Sequence, residues 1–305
     1  MRLLAQDQLE LVAGVELAKK GYLVTIYEKE EKIGGLLTYG IPGFRLPRDL
    51  SNKINEKLKK LNINIETNKE LGKDFTIEEL KENNFKAIFL GLGMAVPSTY
   101  KLNDENNDDI CDSTYFLREY NAKRIVKNLD KVVIIGGGNV ACDSARAAIR
   151  MGAKDVRILY RRNEEKMPAR KIEVNHAIEE GAKFEFNTKV LSAEIEEGKI
   201  KFLNCIKTVC ENNEIKDVSD SEFITEATKV IFAIGYKTDK ALIEKLGIKV
   251  NEKGMLIVDE NNMTNIEGIF AGGDVTQTKA TVCNAILEGK KAAQGIDKYI
   301  KKEDS

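Results

Sequence analysis

The chain has 305 residues, a length that suits about two domains, and its charges nearly cancel, with 48 lysines and arginines against 49 aspartates and glutamates. A net charge of −1 gives no electrostatic support for binding to nucleic acid or to an acidic membrane surface. No apolar run approaches the roughly 20 residues that a transmembrane helix needs, and the N-terminus has no long apolar signal core. We therefore expect a cytoplasmic protein.

The cysteine and histidine content argues against metal sites and nucleophilic catalysis. The five cysteines are scattered and none forms a C-x-x-C pair, so neither a redox dithiol nor a zinc or iron–sulfur site is indicated. The single histidine, His176, lies in a predicted helix over Glu173–Glu180. We expect no metal ligand and no catalytic side chain of the Ser-His-Asp type.

The first recognisable unit is a helix end, a glycine turn and a strand that closes on an acidic residue. Val15–Gly21 supplies the helix end and the turn, and Leu23–Glu28 supplies the strand. The same pattern recurs at Ala147–Gly152 and Val156–Tyr160, so the chain contains an internal repeat of βαβ units. Glu28 stands where such units place the acceptor for a ribose 2′-hydroxyl, which predicts an adenosine without a 2′-phosphate.

The repeat also locates the loop that should hold a pyrophosphate in the first unit. Counting back from Gly21 by the spacing of the second unit places the key loop positions at Ala5, Asp7 and Glu10. Side chains there would stand where backbone should touch phosphate, and the two carboxylates would repel a diphosphate. The first strand is short, with only Met1–Leu4 available. We expect weakened dinucleotide binding at this site.

A turn-rich segment and several short elements follow. Ile33–Pro47 contains four glycines and two prolines, together with Tyr39, Phe44 and Arg45, a composition that suits a loop around a flat ring system. The predicted elements up to residue 112 are a helix over Asp49–Leu61, a strand over Ile63–Ile65, a helix over Thr76–Glu82 capped by Thr76, and an exposed acidic loop over Asn103–Asp112.

The most informative stretch is Val132–Ala145, where a buried β-branched strand runs into a glycine-rich turn and then a helix. Gly136, Gly138 and Ala141 form the pattern G-x-G-x-x-A. The first glycine permits the tight turn, the second lets backbone approach a pyrophosphate, and the alanine keeps the helix close to the sheet. Because a second strand follows at Val156–Tyr160, we predict a dinucleotide site here.

The end of that second strand indicates which dinucleotide binds. Sites for NAD usually place an acid there, whereas this chain has Arg161 and Arg162. Guanidinium groups can bind a 2′-phosphate through paired, charge-assisted hydrogen bonds. We therefore predict NADP(H) as the coenzyme of the second unit.

Three short apolar strands end in glycine, at Ala87–Gly93, Val230–Gly235 and Gly268–Asp274. In open α/β sheets ligands bind at the carboxyl ends of parallel strands, so we expect these strands to gather near the domain junction. Asp274 precedes a predicted helix over Ala280–Tyr299. Its carboxylate could accept hydrogen bonds from a polyol chain, while the helix N-terminus stabilises negative charge on a reduced flavin.

Four segments in this order carry a family resemblance: Tyr39–Pro47, Gly136–Ala141 with Tyr160–Arg162, Glu165–Ala169 and Ala271–Asp274. Together they resemble the small (β) subunit of glutamate synthase and related NADPH-dependent flavoprotein oxidoreductases, over about residues 13–300. The resemblance implies an α/β fold of two dinucleotide-binding, Rossmann-like domains, one inserted into the other. The interrupted repeat predicts a discontinuous FAD-type domain at 1–118 and 240–305 and an NADP(H)-binding domain at 119–239.

The resemblance also implies which residues contact the cofactors. Those for NADPH, beside Gly136 of the turn, are Gly138, Asn139, Val140, Arg161, Arg162 and Gly235. Those for FAD are Glu28, Gly35, Leu36, Arg45, Gly93, Asp274, Thr281 and Val282. The sequence departs from the family in two ways. The FAD pyrophosphate loop lacks its glycines, and the cysteine-rich iron–sulfur domain of glutamate synthase members is absent from this sequence.

The function that follows is hydride transfer from NADPH to FAD, with electrons passed on to a partner protein or a small acceptor. The expected partner is an electron-accepting protein subunit, self-association into a homo-oligomer is compatible with the sequence, and neither nucleic acid nor a membrane is expected. Two alternatives stay open. One is a ferredoxin- or thioredoxin-type reductase, although the thioredoxin version lacks its C-x-x-C pair. The other is a flavin-poor remnant or partner subunit that binds NADP(H) without its own activity.

Replacing Ala5, Asp7 and Glu10 with glycine is expected to raise the affinity for FAD. One carboxylate at ~5 Å from a phosphate costs roughly 3 kcal/mol at an effective dielectric constant of about 20, which corresponds to about two orders of magnitude in affinity. Titration by flavin fluorescence, with the native chain beside the triple-glycine chain, measures the change. Tight, stoichiometric FAD binding by the native chain would contradict the prediction.

Overall fold

The computed structural model describes residues 2–5, 8–103, 107–212, 214–276 and 282–303, with their side chains except at residues 2–5, 8–10, 50–52, 55 and 282. The strands are β1 (Arg2–Ala5), β2 (Thr25–Glu28), β3 (Asn64–Thr67), β4 (Ile88–Gly91), β5 (Val96–Pro97), β6 (Ile110–Asp112), β7 (Lys131–Ile135), β8 (Asp155–Tyr160), β9 (Lys183–Phe186), β10 (Thr188–Glu196), β11 (Lys199–Glu211), β12 (Glu214–Thr225), β13 (Lys229–Phe232), β14 (Tyr236–Lys237) and β15 (Ile269–Ala271).

The α-helices in the same ranges are α1 (Gln8–Lys19), α2 (Gly35–Tyr39), α3 (Asp49–Lys60), α4 (Ile77–Glu82), α5 (Ser113–Asn121), α6 (Asn139–Arg150), α7 (Lys171–Glu179), α8 (Lys240–Leu246) and α9 (Val282–Glu303). Single turns of 3₁₀-helix lie at Glu164–Lys166 and Gly273–Val275. Of these described helices, none combines the length and the apolar character that crossing a membrane requires.

The chain divides into two compact units, and one of them is discontinuous in sequence. Unit 1 comprises residues 1–39, 43–96 and 236–305, and unit 2 comprises residues 40–42 and 97–235. The first boundary therefore lies near residue 96 and not at the expected residue 118. The physical reason is that β6 pairs in parallel with β13, Ile110 opposite Val230, which brings the segment before α5 into unit 2.

Unit 1 is built on one parallel sheet of five strands in the order β15-β4-β1-β2-β3. The short strand β1 lies in its centre, and Ala5 is opposite both Glu28 of β2 and Gly91 of β4. An apolar core joins Leu17 of α1 and Ile296 of α9 to the sheet. The sheet gains its stability from this burial, because strands of four residues cannot persist alone.

Unit 2 repeats this plan and adds a second sheet. Its five parallel strands run in the order β6-β13-β7-β8-β9, with β7 in the centre. The segment β10-β11-β12 forms a separate antiparallel sheet of three strands. Val133 of β7, Leu159 of β8 and Leu203 of β11 share one buried core, so the antiparallel sheet is packed against the parallel one.

The internal repeat accounts for the placement of the glycine-ended strands. The run β1-α1-β2-α3-β3 in unit 1 corresponds to β7-α6-β8-α7-β9 in unit 2. In each sheet the strand on the other side of the centre ends near glycine, namely β4 and β13. β4 also neighbours β15, with Ile88 opposite Ile269. Two of the three glycine-ended strands thus lie side by side in unit 1, and the third belongs to unit 2.

Local predictions agree with the structure where capping or periodicity was strong. The Thr76 hydroxyl accepts from the backbone N–H of Glu79, and the Glu79 carboxylate accepts from that of Thr76, which closes a capping box on α4. The prediction of an exposed loop over Asn103–Asp112 is wrong at its end. Asp109 is buried and accepts from Asn128 Nδ2 at 2.7 Å, and the next three residues form β6.

Asp297 of α9 joins the two ends of unit 1. Its carboxylate accepts hydrogen bonds from Lys20 Nζ at 2.6 Å, Tyr22 Oη at 2.8 Å and Lys301 Nζ at 3.1 Å. These bonds, that from Lys20 foremost, lower the pKa of Asp297 to about 2. Stability from this group is therefore present above the unfolded pKa near 4 and is lost as the pH falls towards 2.

Replacing Asp297 with asparagine is expected to lower the free energy of unfolding by about 1.5–3 kcal/mol at pH 7, the usual loss for charge-assisted hydrogen bonds. Urea denaturation between pH 7 and pH 3 measures the loss, which should shrink below about pH 4. Asp49→Asn is the control, because its ion pair with Lys53 is exposed on both sides. A loss that does not vary with pH would contradict the assignment.

Candidate nucleotide-binding sites

The turn between β7 and α6 is the best-defined feature of unit 2. Gly136 has φ +150°, and a Cβ on it would lie 2.3 Å from the Ala233 carbonyl oxygen. A Cβ on Gly137 would lie 2.5 Å from the ring of Tyr160. Both positions require glycine because the backbone of the turn runs in contact with β13 and with the end of β8. The strand can therefore turn directly into the helix.

Gly138 differs from its two neighbours because a Cβ there would meet no protein atom within 4 Å. It is the N-cap of α6, and the Asn139 and Val140 N–H groups belong to the first turn, where no earlier helical carbonyl can accept from them. The side chain of Val140 is 38% exposed. A helix N-terminus with bare backbone beside it is suited to a phosphate group.

A segment after β8 encloses this turn. The Ala169 N–H donates to the Gly137 carbonyl at 3.0 Å, and the Arg170 N–H donates to Asn139 Oδ1 at 2.9 Å. The Tyr160 hydroxyl donates to the Lys166 carbonyl at 2.8 Å. Sequence reasoning had noted this segment only as part of a family resemblance. Two residues in the sequence could have indicated this segment. They are Tyr160, the aromatic residue before the arginine pair, and Pro168, two residues before Arg170.

Arg161 and Arg162 follow β8 directly, as predicted. Arg161 is exposed and Arg162 is half-buried. The Nε of Arg162 is buried, and within the described part of the chain no acceptor lies within hydrogen-bond distance of it. Such an unpartnered donor suits an anionic ligand. Gly235, beyond β13, is exposed with φ +98°, and its carbonyl accepts from the Ser98 N–H at 2.8 Å.

Glu28, the last residue of β2, is the clearest candidate in unit 1. The residue is fully buried, and burial is the main reason that its pKa is raised to about 7. Oε1 accepts from the Glu30 N–H at 3.0 Å, whereas Oε2 is buried with no partner among the described residues. A ligand hydroxyl that donates a hydrogen bond to Oε2 would satisfy this oxygen and favour the ionised carboxylate.

A small cleft of about 50 Å³ opens at Lys29, the residue that follows Glu28 in the sequence. Seven of its lining residues are apolar or glycine, and three are charged, namely Lys29, Glu70 and Asp239. Gly93, with φ +59°, lies in its lining, and a Cβ on it would meet no protein atom within 4 Å. The lining residues are Lys29, Glu70, Leu71, Leu92, Gly93, Ala95, Asp239, Leu242, Ile243 and Val275.

The other predicted flavin contacts lie on three further segments of unit 1. Gly35, with φ +47°, begins α2, a helix that the sequence analysis did not predict within its turn-rich segment, and Leu36 beside it is 44% exposed. Arg45 is half-buried in the turn that follows. Asp274 is half-buried in the 3₁₀ turn after β15. Thr281 and the side chain of Val282 lie outside the described residues.

The register of β1 corrects the position assigned to Ala5. Ala5 lies opposite Glu28, as Ile135 lies opposite Leu159, so Ala5 ends the strand and does not begin the loop. Gln6 and Asp7, which follow β1, and the side chain of Glu10 lie outside the described residues.

Both units contain a five-stranded parallel sheet of the same plan. The sheet of unit 1 has an acid at the end of β2, and that of unit 2 has a glycine turn after β7. This arrangement defines a protein with two nucleotide-binding units of the Rossmann type. The model of the family described as "Pyridine nucleotide-disulphide oxidoreductase" matches residues 11–289. The chain belongs to this family. The α/β fold class expected from the sequence is confirmed.

Similar proteins agree with the resemblance found in the sequence. The β subunit of the NADP(+)-dependent formate dehydrogenase of Moorella thermoacetica is 35% identical over 95% of this chain, which spans 42% of that protein. The small chain of the NADPH glutamate synthase of Escherichia coli (strain K12) is 32% identical over 93% of this chain, which spans 65% of that protein. The predicted resemblance to glutamate synthase small subunits is confirmed.

Solved structures support the fold at lower identity. Mycobacterium tuberculosis FprA in complex with NADPH is 14% identical, with a TM-score of 0.81 over 99% of this chain and 85% of that one. The thioredoxin reductase of T. acidophilum is 19% identical, with a TM-score of 0.73 over 99% of this chain and 97% of that one. At these identities the likeness concerns the fold alone.

Alanine substitutions at Gly137 and Gly138 are expected to separate packing from ligand binding. Gly137→Ala pushes a methyl group into the Tyr160 ring and should lower the free energy of unfolding by about 1–3 kcal/mol. Gly138→Ala should leave stability within about 1 kcal/mol of the native value, because its methyl group meets no protein atom. If the turn binds the pyrophosphate of NADPH, as the sequence predicts, the same methyl group should weaken NADPH binding at least about tenfold.

Urea denaturation and calorimetric titration with NADPH measure the two effects on each variant. This description of the turn would be contradicted if Gly138→Ala were unstable and still bound NADPH as tightly as the native chain.

Proposed function

We propose that this chain is an NADPH-dependent flavoprotein oxidoreductase, with NADP(H) bound in unit 2 and FAD bound in unit 1. The observation that carries the proposal is the contrast between the ends of β2 and β8. β2 ends on the buried acid Glu28, whereas β8 is followed by Arg161 and Arg162. An acid accepts from free ribose hydroxyls and arginines bind a 2′-phosphate, so the two units select different dinucleotides.

The residues of unit 2 would bind and orient the coenzyme. Gly138 and the first turn of α6 would hold the pyrophosphate on backbone N–H groups, and the arginine pair would hold the 2′-phosphate. Gly235 lies at the end of the neighbouring strand and offers open backbone to the rest of the coenzyme. Such positioning is the main demand of hydride transfer, which needs no acid or base from the protein.

The residues of unit 1 fit the adenosine end of FAD. Glu28 Oε2 lacks a hydrogen-bond donor in the described structure, and Gly93 offers open backbone in the lining of the cleft at Lys29. Asp274, Gly35, Leu36 and Arg45 are proposed for the remainder of the cofactor, together with Thr281 and Val282. FAD, when bound, would accept the hydride of NADPH and release electrons singly or in pairs.

The electron acceptor is proposed to be a second protein subunit. Both curated relatives described above are named as subunits or chains of larger enzymes, and this chain spans 42% and 65% of their lengths. An internal thiol relay has little support. Burial raises the pKa of Cys111 to about 12 and that of Cys205 to about 11, so both thiols stay protonated and poorly reactive.

The second candidate function is NADP(H) binding without retained flavin. The sequence after β1 supports it, because residues 6–10 contain no glycine and include the carboxylates Asp7 and Glu10, which would repel a diphosphate. An absorbance spectrum of the purified chain separates the two candidates. Bands of oxidised flavin support the oxidoreductase, and a bare protein spectrum that persists after addition of FAD supports the second candidate.

Replacing Arg161 or Arg162 with alanine is expected to weaken NADPH binding by about 1.5–3 kcal/mol and to leave NADH binding nearly unchanged, because only NADPH carries the 2′-phosphate. Dissociation constants for both coenzymes measure the selectivity. Arg157→Ala is the matched control, since Arg157 lies on β8, just before the arginine pair, but is paired with Asp155 and Glu185. Equal losses for both coenzymes would show that the arginine pair does not bind the 2′-phosphate.

A further inference from the structure

Thr208 of β11 lies where the antiparallel sheet stops pairing regularly. Pairing between β10 and β11 ends with Thr188 opposite Lys207, one residue earlier. On the other side, pairing with β12 is interrupted between Ile206 and Thr208. Irregularities of this kind redirect side chains out of the sheet. Thr208 is only 4% exposed, so its hydroxyl must find a partner inside unit 2.

That partner is the backbone of the arginine pair. The Thr208 hydroxyl donates to the Arg161 carbonyl at 2.9 Å. The Thr208 N–H donates to the Asn187 carbonyl at 2.9 Å, and the Asn187 N–H donates to the Arg162 carbonyl at 3.0 Å. Asn187 has φ +51°, a left-handed turn residue between β9 and β10. Three hydrogen bonds thus connect the arginine pair to the antiparallel sheet.

This connection matters because the arginine pair lies beyond the ladder of the parallel sheet. The last residue of β8 paired with β9 is Tyr160, so the Arg161 and Arg162 carbonyls have no strand partner in the parallel sheet. Arginine side chains are long, and their bidentate geometry with phosphate depends on where the backbone directs them. Backbone fixed at these carbonyls reduces the freedom that phosphate binding would otherwise remove.

We propose that Thr208 is a positioning residue for coenzyme selectivity, which holds the backbone of Arg161 and Arg162 in the orientation that binds a 2′-phosphate. Thr208 is buried and would act through its bond to the Arg161 carbonyl. The inference rests on the proposed function, because it requires unit 2 to bind NADP(H). It assigns the antiparallel sheet β10-β11-β12 a direct part in distinguishing NADP(H) from NAD(H).

The test uses the whole chain of 305 residues and two nucleotides that differ only in the 2′-phosphate, adenosine 2′,5′-bisphosphate and adenosine 5′-monophosphate. Calorimetric titration measures both affinities without flavin or turnover. Thr208→Val keeps the shape and removes the hydroxyl, and it should weaken the bisphosphate about fivefold, the effect of one neutral hydrogen bond, while the monophosphate is unchanged. Thr208→Ser retains a hydroxyl and should therefore keep the native preference for the bisphosphate.

Thr225→Val is the matched control, because Thr225 is a threonine of the same sheet, 3% exposed, on β12. It should change neither affinity. If Thr208→Val fails to fold by circular dichroism, Thr208→Ala tests the same hydroxyl. Equal weakening of both nucleotides, or an unchanged preference for the bisphosphate, overturns the inference. A native chain that binds both nucleotides equally would refute the proposed function itself, and this result is distinguishable because it needs no variant.

Discussion

The close approach of backbone to its neighbours at Gly136 and Gly137 is the constraint on which the proposed coenzyme site depends. A side chain at either position would collide with β13 or with the ring of Tyr160. Without side chains, β7 turns at once into α6, and the helix begins at the edge where the parallel strands end. Tyr160 in turn fixes the segment that covers the turn through its bond to Lys166. Tyr160 therefore connects these features, because its ring packs on the turn before α6 and the arginine pair follows it directly in the sequence.

The two units show how one sheet plan supports two chemistries. Each has a central strand, β1 or β7, between a βαβ neighbour and a strand that ends near glycine. What differs is the residue type at the strand ends. Glu28 is buried and has an unpartnered oxygen, whereas Arg162 has an unpartnered nitrogen. An orphan acceptor requires a donor from the ligand and an orphan donor requires an acceptor, so the ligand groups proposed for the two units are opposite in kind.

Long-range pairing explains which parts of the fold could not be predicted. Capping and periodicity are local, and they predicted α3, α4 and both βαβ repeats close to their observed bounds. Strand β6 was mistaken for loop because it has three residues beside acidic neighbours. Its partner is β13, about 120 residues later, and no local pattern carries that information. Because β6 belongs to unit 2, the first boundary between the units lies near residue 96, before this strand.

The sequence by itself determined the glycine turn, the acid at the end of β2 and the arginines after β8, because side-chain chemistry and local spacing specify these features. The ligand proposed for each strand end follows from these residues. The tertiary structure alone decided that Ala5 ends a strand, that Tyr160 underlies the turn, and that Thr208 reaches the arginine backbone. These facts depend on register and on contacts between distant segments. Register is a property of two paired strands, so it cannot be read from the residues of either strand alone.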